Sequence, residues 1–450
     1  MRFVYEGSRH VLVLLALTTL SLLICASNGR ADLQTYLQKP EPVFAWEVKE
    51  KKELASGAVH GIHLVSQSWQ GINWEHQIQV YVPKDAKPGA TMLLMVTGGG
   101  GAARDARLNE GRMALSFEIA KRLKAPYAVL THVPNQPLLD NRKEDALIAE
   151  TFVRYLDTKD ESWPLLFPMT KSVIKAMDAL QQFSDQEWKT PLKQFIVTGG
   201  SKRGWTSWLT GASGDPRVKA IAPLVIDTLN MRKQLPHQKE TLGDYSEMIG
   251  DYTGRKLVPL PNTPEAHKLW GMVDPWTYRE KLTMPKLLIN GNNDPYWSTD
   301  ALNLYWDDLK GDKWVIYVPN AGHDLQQKDK PLLQQADYVI NGLAAFARHQ
   351  MIDNPMPKVE WKHTDGDGKL RLAVTGEPAP GAGRLWVARA PTRDFRKAKW
   401  ESQPLSMKDG KLLGEIEPPA EGFLAFYGEV DYTMDEIKYH LSTQMRVAGK

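Results

Sequence analysis

The patterning of the chain predicts an α/β fold, a mainly parallel sheet with helices on both faces, followed by a small all-β sandwich. Three observations carry this. Apolar runs such as Thr91 to Val96, Val218 to Ile226 and Lys286 to Asn290 alternate with segments of helical spacing, as strands buried on both faces do. Glycine-rich or acidic turns follow those runs directly, so polar chemistry gathers at the carboxyl ends of the strands. After Pro355 the texture changes to short alternating segments separated by turns such as Gly366-Asp367-Gly368.

Length and composition agree with two units. The 450 residues suit a large domain over 40–354 and a β-rich one over 355–450, with the boundary near Asn354-Pro355. A formal charge of +3, with scattered lysines and arginines, argues against a nucleic-acid partner. Arg2 and Arg9 precede an apolar stretch, Val11 to Ile24, and the small residues Ala26 and Ala31, which reads as a secretory signal peptide over 1–31. An uncleaved anchor is the alternative. The expected destination is secreted or periplasmic, with no stable membrane span after signal removal. The single cysteine, Cys25, lies in that segment, and Ile24 before it is a poor residue for lipid attachment. A mature chain without cysteine has neither disulfides nor thiolate chemistry.

Taken in order, His63–Gln67 and Gln77–Val82 alternate as antiparallel strands around the turn Gln70-Gly71. Thr91–Val96 is a buried strand that ends in Gly98 to Gly101. Met113–Leu123 is helical and Tyr127–Thr131 a strand. Asp140–Phe183 reads as helix interrupted at Trp163-Pro164 and Pro168, with Arg142-Lys143-Glu144-Asp145 as a solvated start. Phe195–Thr198 is a strand entering Gly199-Gly200-Ser201 and a helix-spaced segment. Val218–Ile226 is a strand ending at Asp227. Thr228 to Trp270 has poor periodicity and reads as a lid-like insertion, 228–270, over the strand ends. Lys286–Asn290 is a strand, Leu302–Leu309 a helix, Trp314–Val318 a strand and Pro331–Met351 a helix. Five further strands are expected after Pro355.

A strand that turns sharply into a helix with serine at the apex is a nucleophile elbow. The usual Gly-x-Ser-x-Gly places glycine where this chain has Arg203, and Gly204 comes one position later. A serine hydroxyl needs a base and the base an orienting acid, all at strand carboxyl ends. Ser201, Asp294 and His323 meet that condition, in the chain order of the α/β-hydrolase fold. Asp227 and Asp274 are rival acids. Asp294 is preferred because its strand immediately precedes the one carrying His323. The oxyanion-hole candidates are the backbone N–H of Lys202 and one from Gly98 to Gly101, with Gly99 and Gly100 central. Lys202 and Arg203 either pair with carboxylates or attract an anionic acyl or sugar-acid group. Arg203, Trp205 and Trp297 are the substrate-binding candidates, while Trp208 and Trp276 crowd the same neighbourhood. No His, Cys or Glu cluster has metal-ligand spacing, and no Gly-Lys-Ser/Thr follows the glycine loop, so neither metal nor cofactor is expected.

Longer stretches carry a resemblance. Val133-Pro-Asn-Gln-Pro-Leu138, Arg142-Lys-Glu-Asp-Ala-Leu-Ile-Ala149, Trp163-Pro-Leu-Leu-Phe-Pro-Met-Thr-Lys171 and Ser201-Lys-Arg-Gly-Trp205 resemble the PhoPQ-activated pathogenicity-related protein family. Asp215-Pro-Arg-Val-Lys219, Asn290-Gly-Asn-Asn-Asp294 and Ala321-Gly-His323 continue the similarity, which runs from about Pro40 through the β-rich end. The resemblance implies an α/β-hydrolase, secreted or in the cell envelope, associated with virulence and resistance to cationic antimicrobial peptides. It also implies a second class of role, since one eukaryotic branch acts as a secreted signal that slows proliferation. Ser201-Lys-Arg-Gly204 is similar as well to the elbow of glucuronoyl esterases. Two functions are therefore carried forward. One is a secreted serine hydrolase acting on a small ester, sugar-ester or peptide. The other is a non-catalytic binding or signalling protein on a hydrolase scaffold.

Overall fold

The computed structural model describes residues 33–100, 103, 110–331 and 334–449. The expected signal peptide with Cys25, and Gly101 of the glycine loop, lie outside the described residues. Three antiparallel strands open the sheet: β1 (Ala45–Leu54), β2 (Gly57–Trp69) and β3 (Ile72–Pro83). Strand β1 is invisible to apolar patterning because Glu47 to Glu53 is almost wholly charged and mostly exposed. Those charges suit a strand at a sheet edge.

The parallel part follows with β4 (Thr91–Val96), β5 (Tyr127–Leu130), β6 (Gln194–Gly200), β7 (Val218–Leu224), β8 (Lys286–Gly291) and β9 (Lys313–Val318). Their spatial order is β3-β5-β4-β6-β7-β8-β9. Successive residues of each strand feed two separate cores. Met92, Leu94, Phe195 and Val197 pack with Phe183, Trp208 and Leu209 on one face. Leu93, Ile196, Leu287 and Ile289 pack with Phe117, Leu343 and Phe346 on the other. Full burial of such a side chain stabilises by about 1.5–3 kcal/mol, so both faces must be covered.

The helices that cover them are α2 (Glu110–Leu123) and α9 (Asp337–Met351) on one side, and α3 (Glu144–Thr158), α4 (Leu166–Glu187) and α5 (Lys202–Ala212) on the other. A short α1 (Leu33–Leu37) precedes β1. The expected break at Pro168 does not occur: Pro168 sits in the first turn of α4, where its missing N–H has no partner to lose. Leu302–Leu309 forms two 3₁₀ turns, Ala301–Leu304 and Trp306–Asp308, and the last helix of this region begins at Asp337. The insertion 228–270 is more regular than its periodicity suggests. It holds α6 (Met231–Leu242), α7 (Gly250–Thr253) and α8 (Pro264–Val273).

Beyond the boundary come β10 (Lys358–Gly366), β11 (Lys369–Glu377), β12 (Gly383–Ala390), β13 (Glu401–Pro404), β14 (Ser406–Lys408), β15 (Lys411–Ile416), β16 (Phe423–Met434), β17 (Ile437–Ser442) and β18 (Arg446–Gly449). They form two layers, but not as a free-standing sandwich. Strands β10, β11, β15 and β14 make one sheet. Strands β17, β16, β12, β13 and β18 instead extend the central sheet, because Ser442 of β17 pairs with Val315 of β9. The Ser442 hydroxyl also accepts from the Tyr317 N–H at 3.1 Å. Leu372, Val374, Leu385, Leu412, Leu424 and Phe426 fill the space between the layers and join the core that runs under α9. Among the described residues, no helix is long and apolar enough to cross a membrane.

Candidate active site

Ser201 stands between β6 and α5 with φ 57° and ψ −125°, a conformation that costs a non-glycine residue on the order of 1–3 kcal/mol. Hydrogen bonds on both sides hold it there. Its N–H donates to the Leu224 carbonyl and its carbonyl accepts from the Trp205 N–H, each at 2.9 Å. A Cβ on Gly204 would lie 2.8 Å from the Leu224 carbonyl oxygen and 2.9 Å from that of Gly199, so only glycine lets helix and strand approach this closely. The displaced glycine of the motif thus does its steric task from position 204. The turn leaves the N-terminus of α5, beginning with the Lys202 N–H, beside the serine. With this elbow after β6, and the Asp294 and His323 turns after β8 and β9, the fold is the α/β-hydrolase fold.

Asp294 is buried and both its oxygens are engaged. One accepts from the Tyr296 N–H at 2.9 Å, and the other lies 2.8 Å from His323 Nδ1. With Nδ1 donating to the carboxylate, Nε2 is the ring nitrogen left for another partner. Nε2 is buried and has no hydrogen-bond partner among the described residues, so it is not bonded to the Ser201 hydroxyl in this structure. The ring of Tyr296 lies against that of His323 with centroids 4.3 Å apart, and Tyr296 and Ser201 line one pocket.

The rival acids have other attachments. Asp274 accepts from the N–H groups of Asn230, Met231 and Trp276 and so fastens the start of α6; burial nevertheless pushes its carboxyl up to about 6. Asp227 accepts from the Tyr305 hydroxyl at 2.5 Å. Burial, with Asp294 and Asp300 nearby, pushes Asp227 up to about 7. A carboxyl half-protonated at neutral pH is a poor orienting acid.

Of the two charged residues of the elbow, Lys202 borders the pocket and Arg203 does not. Of the two readings of Arg203, pairing with a carboxylate is the one this geometry displays. Its guanidinium grips Glu144 with two bonds of 2.6 and 2.8 Å and donates to the Val133 carbonyl at 2.6 Å. Gly98 packs directly on that guanidinium. Glu144 in turn accepts from Gln136, whose amide also donates to the Gly99 carbonyl at 3.0 Å. One network therefore ties the elbow to the glycine loop. Burial alone would raise the Glu144 carboxyl, yet Arg203, Gln136 and Lys202 hold it down at about 2. The run Arg142 to Asp145 is thus not a solvated helix start: Glu144 and Asp145 neutralise Arg203 and Lys202. We expect Arg203→Ala to lower stability by about 2 kcal/mol, less than for a fully buried pair because the Glu144 side chain is 41% exposed. Urea unfolding would read it, and Arg203→Lys should recover only part, since an ammonium cannot replace the two-pronged contact.

Of the expected aromatic residues, Trp205 and Trp297 line the pocket. Trp208 is fully buried core, and Trp276 donates to Asp308 and stacks under Arg279. Gly99 packs on the ring of His132, where a Cβ would lie 3.0 Å from it. Residues of the insertion complete the walls, among them Met231, Leu235, Tyr252 and Trp270. A further element was not signalled by any motif. The segment 391–400 between β12 and β13 receives hydrogen bonds from Asn293 at the Phe395, Arg396 and Ala398 carbonyls, and Asn320 exchanges two with Trp400. Arg393 and Arg396 from the same segment reach Glu240 and Glu247 of the insertion. Both turns of the site and its cover are thus anchored to the C-terminal strands. Among the described residues, Glu429, Asp431 and His440 form a cluster of metal-ligand type away from this site. There Arg384 pairs with both carboxylates and already supplies positive charge.

With this geometry in hand, comparison with known proteins is informative. A relative named autocrine proliferation repressor protein A, from Dictyostelium discoideum, is 30% identical over 454 residues, covering 93% of this chain and 89% of that protein. Similar solved structures include acetyl xylan esterase 1 from Thermoanaerobacterium sp. JW/SL YS485, at 13% identity and TM-score 0.47, covering 71% of this chain and 92% of that one. An S-formylglutathione hydrolase from Agrobacterium tumefaciens is also 13% identical, with TM-score 0.43 and coverage of 68% and 99%. The family model described as PhoPQ-activated pathogenicity-related protein matches residues 33–396. The chain belongs to that family.

Proposed function

We propose that the protein is a serine hydrolase of esters or amides, working outside the cytoplasm. The observation that carries this reading is the strained Ser201 at the head of α5 together with the Asp294–His323 hydrogen bond on neighbouring strand ends. Ser201 Oγ attacks the scissile carbonyl carbon while His323 Nε2 takes its proton. Asp294 holds the ring and stabilises the imidazolium that forms. The negative oxygen of the tetrahedral intermediate is met by the Lys202 N–H and by N–H groups of Gly99 and Gly100. Collapse expels the alcohol or amine, which receives the proton from His323, and water repeats the sequence to release the acid. The bond between Ser201 and Nε2 forms when substrate closes the site, as catalytic hydrogen bonds in empty sites often do.

Because His323 Nε2 has no hydrogen-bond partner among the described residues, there is a second reading, a secreted binding or signalling protein on the same scaffold. A link to virulence or antimicrobial-peptide resistance belongs to either reading and rests on the family's character. A fluorophosphonate probe separates the two. Labelling of the wild type, lost in Ser201→Ala, is the outcome expected of the hydrolase. A well-folded protein that takes no label would be a binding protein.

A further inference from the structure

We propose that the group held beside Ser201 is uncharged and apolar, so that the substrates are esters or amides carrying a medium-chain aliphatic or aromatic group next to the scissile carbonyl. This rests on the hydrolase reading of the same site. The pocket is a small cavity of about 50 Å³, and Ile226, Leu235, Ile249, Val258 and Trp270 form much of its wall.

The decisive point is what its polar groups already do. Lys202 Nζ lies 3.0 Å from Asp145 and 3.2 Å from Glu144, and Asp145 also accepts from the Tyr252 hydroxyl at 3.1 Å. The two charges that border the pocket therefore cancel, and Arg203 is turned to Glu144. A sugar acid would find each of these cations paired, and an ammonium group would find the carboxylates paired. Both would lose hydration without replacement. Several neutral groups are occupied as well. Gln234 donates to the Ala301 carbonyl at 2.9 Å, Gln238 to that of Tyr296 at 2.8 Å, and Ser298 bonds Thr241 at 2.5 Å. The indole N–H groups of Trp270 and Trp297 are buried and have no hydrogen-bond partner among the described residues. The pocket thus suits an apolar group with at most one or two acceptor oxygens.

Two measurements test this. In a series of p-nitrophenyl esters, kcat/KM should rise about three- to fourfold per methylene from acetyl to hexanoyl. If the apolar group sits on the alcohol side, alkyl acetates should show that rise instead. A flat response in both series, or preference for methyl glucuronate, overturns the inference while a fluorophosphonate-labelled Ser201 keeps the hydrolase reading intact. Independently of turnover, tryptophan fluorescence of Ser201→Ala should report ethyl hexanoate binding at least 30-fold tighter than ethyl acetate, the effect of four methylenes discounted for imperfect fit. Equal binding overturns the inference, whereas the expected binding without any hydrolysis upholds it and removes the hydrolase reading alone. Leu235→Trp should shift the optimum to shorter chains, and Val258→Phe serves if the first variant does not fold.

Discussion

Ser201→Ala is expected to lower kcat by about 10⁴- to 10⁶-fold while leaving the fold unchanged, because the nucleophile of a hydrolase triad has no substitute in the site. The hydroxyl makes no capping bond to α5, so its loss removes no support from the elbow. Alanine keeps the backbone strain. Glycine would not: at φ 57° and ψ −125° it fits without the Cβ penalty, and Ser201→Gly should be inactive yet about 1 kcal/mol more stable. Initial rates and thermal unfolding of the two variants measure both parts. Retention of more than about a hundredth of the turnover in Ser201→Ala would move the nucleophile elsewhere.

The second large effect separates two buried carboxylates. Asp294→Asn should reduce kcat by about 10³- to 10⁴-fold, because an amide facing Nδ1 favours the wrong tautomer and cannot stabilise an imidazolium. Asp227→Asn should stay within about tenfold of wild type, since the carboxyl reaches the Tyr305 hydroxyl, which an amide oxygen can also accept from. Its signature lies in stability. The folded protein holds the Asp227 proton up to about pH 7, far above the usual carboxylate value. The stabilisation from that proton is complete below about pH 4 and is lost as pH rises through about 7. Asparagine mimics the protonated form, so the variant should gain on wild type between pH 5 and pH 8 by about 2–4 kcal/mol. Denaturant titrations at the two pH values would show it. A reversed ranking of the two kcat losses would make Asp227 the orienting acid.

The sheet was readable because strands such as Phe195–Val197 are apolar on both faces and bounded by glycine, a pattern that owes nothing to distant residues. The turns carrying Ser201, Asp294 and His323 were readable for the same local reason. What escaped depends on partners far along the chain. Glu144 looks like a surface charge until Arg203, 59 residues later, folds over it. The insertion hid its helices because α6 contains Pro236 and buries polar residues, Gln234, Gln238 and Thr241, which blur the apolar stripe. Asn293 gave no hint of its three carbonyl partners, more than a hundred residues away. The joining of β17 to β9 rests on one residue pair, which no periodicity encodes.

That junction has a consequence for how the protein is made. Strand β9 and the His323 turn leave the ribosome more than a hundred residues before β17 and its Ser442 hydroxyl arrive. Until then β9 is an open edge able to pair with another chain, and the turns at Asn293 and Asn320 have no segment 391–400 to hold them. The proposed active centre is therefore completed only by strands that come after it in the chain. A chain stopped near Pro355 would have Ser201, Asp294 and His323 and an unfinished scaffold around them.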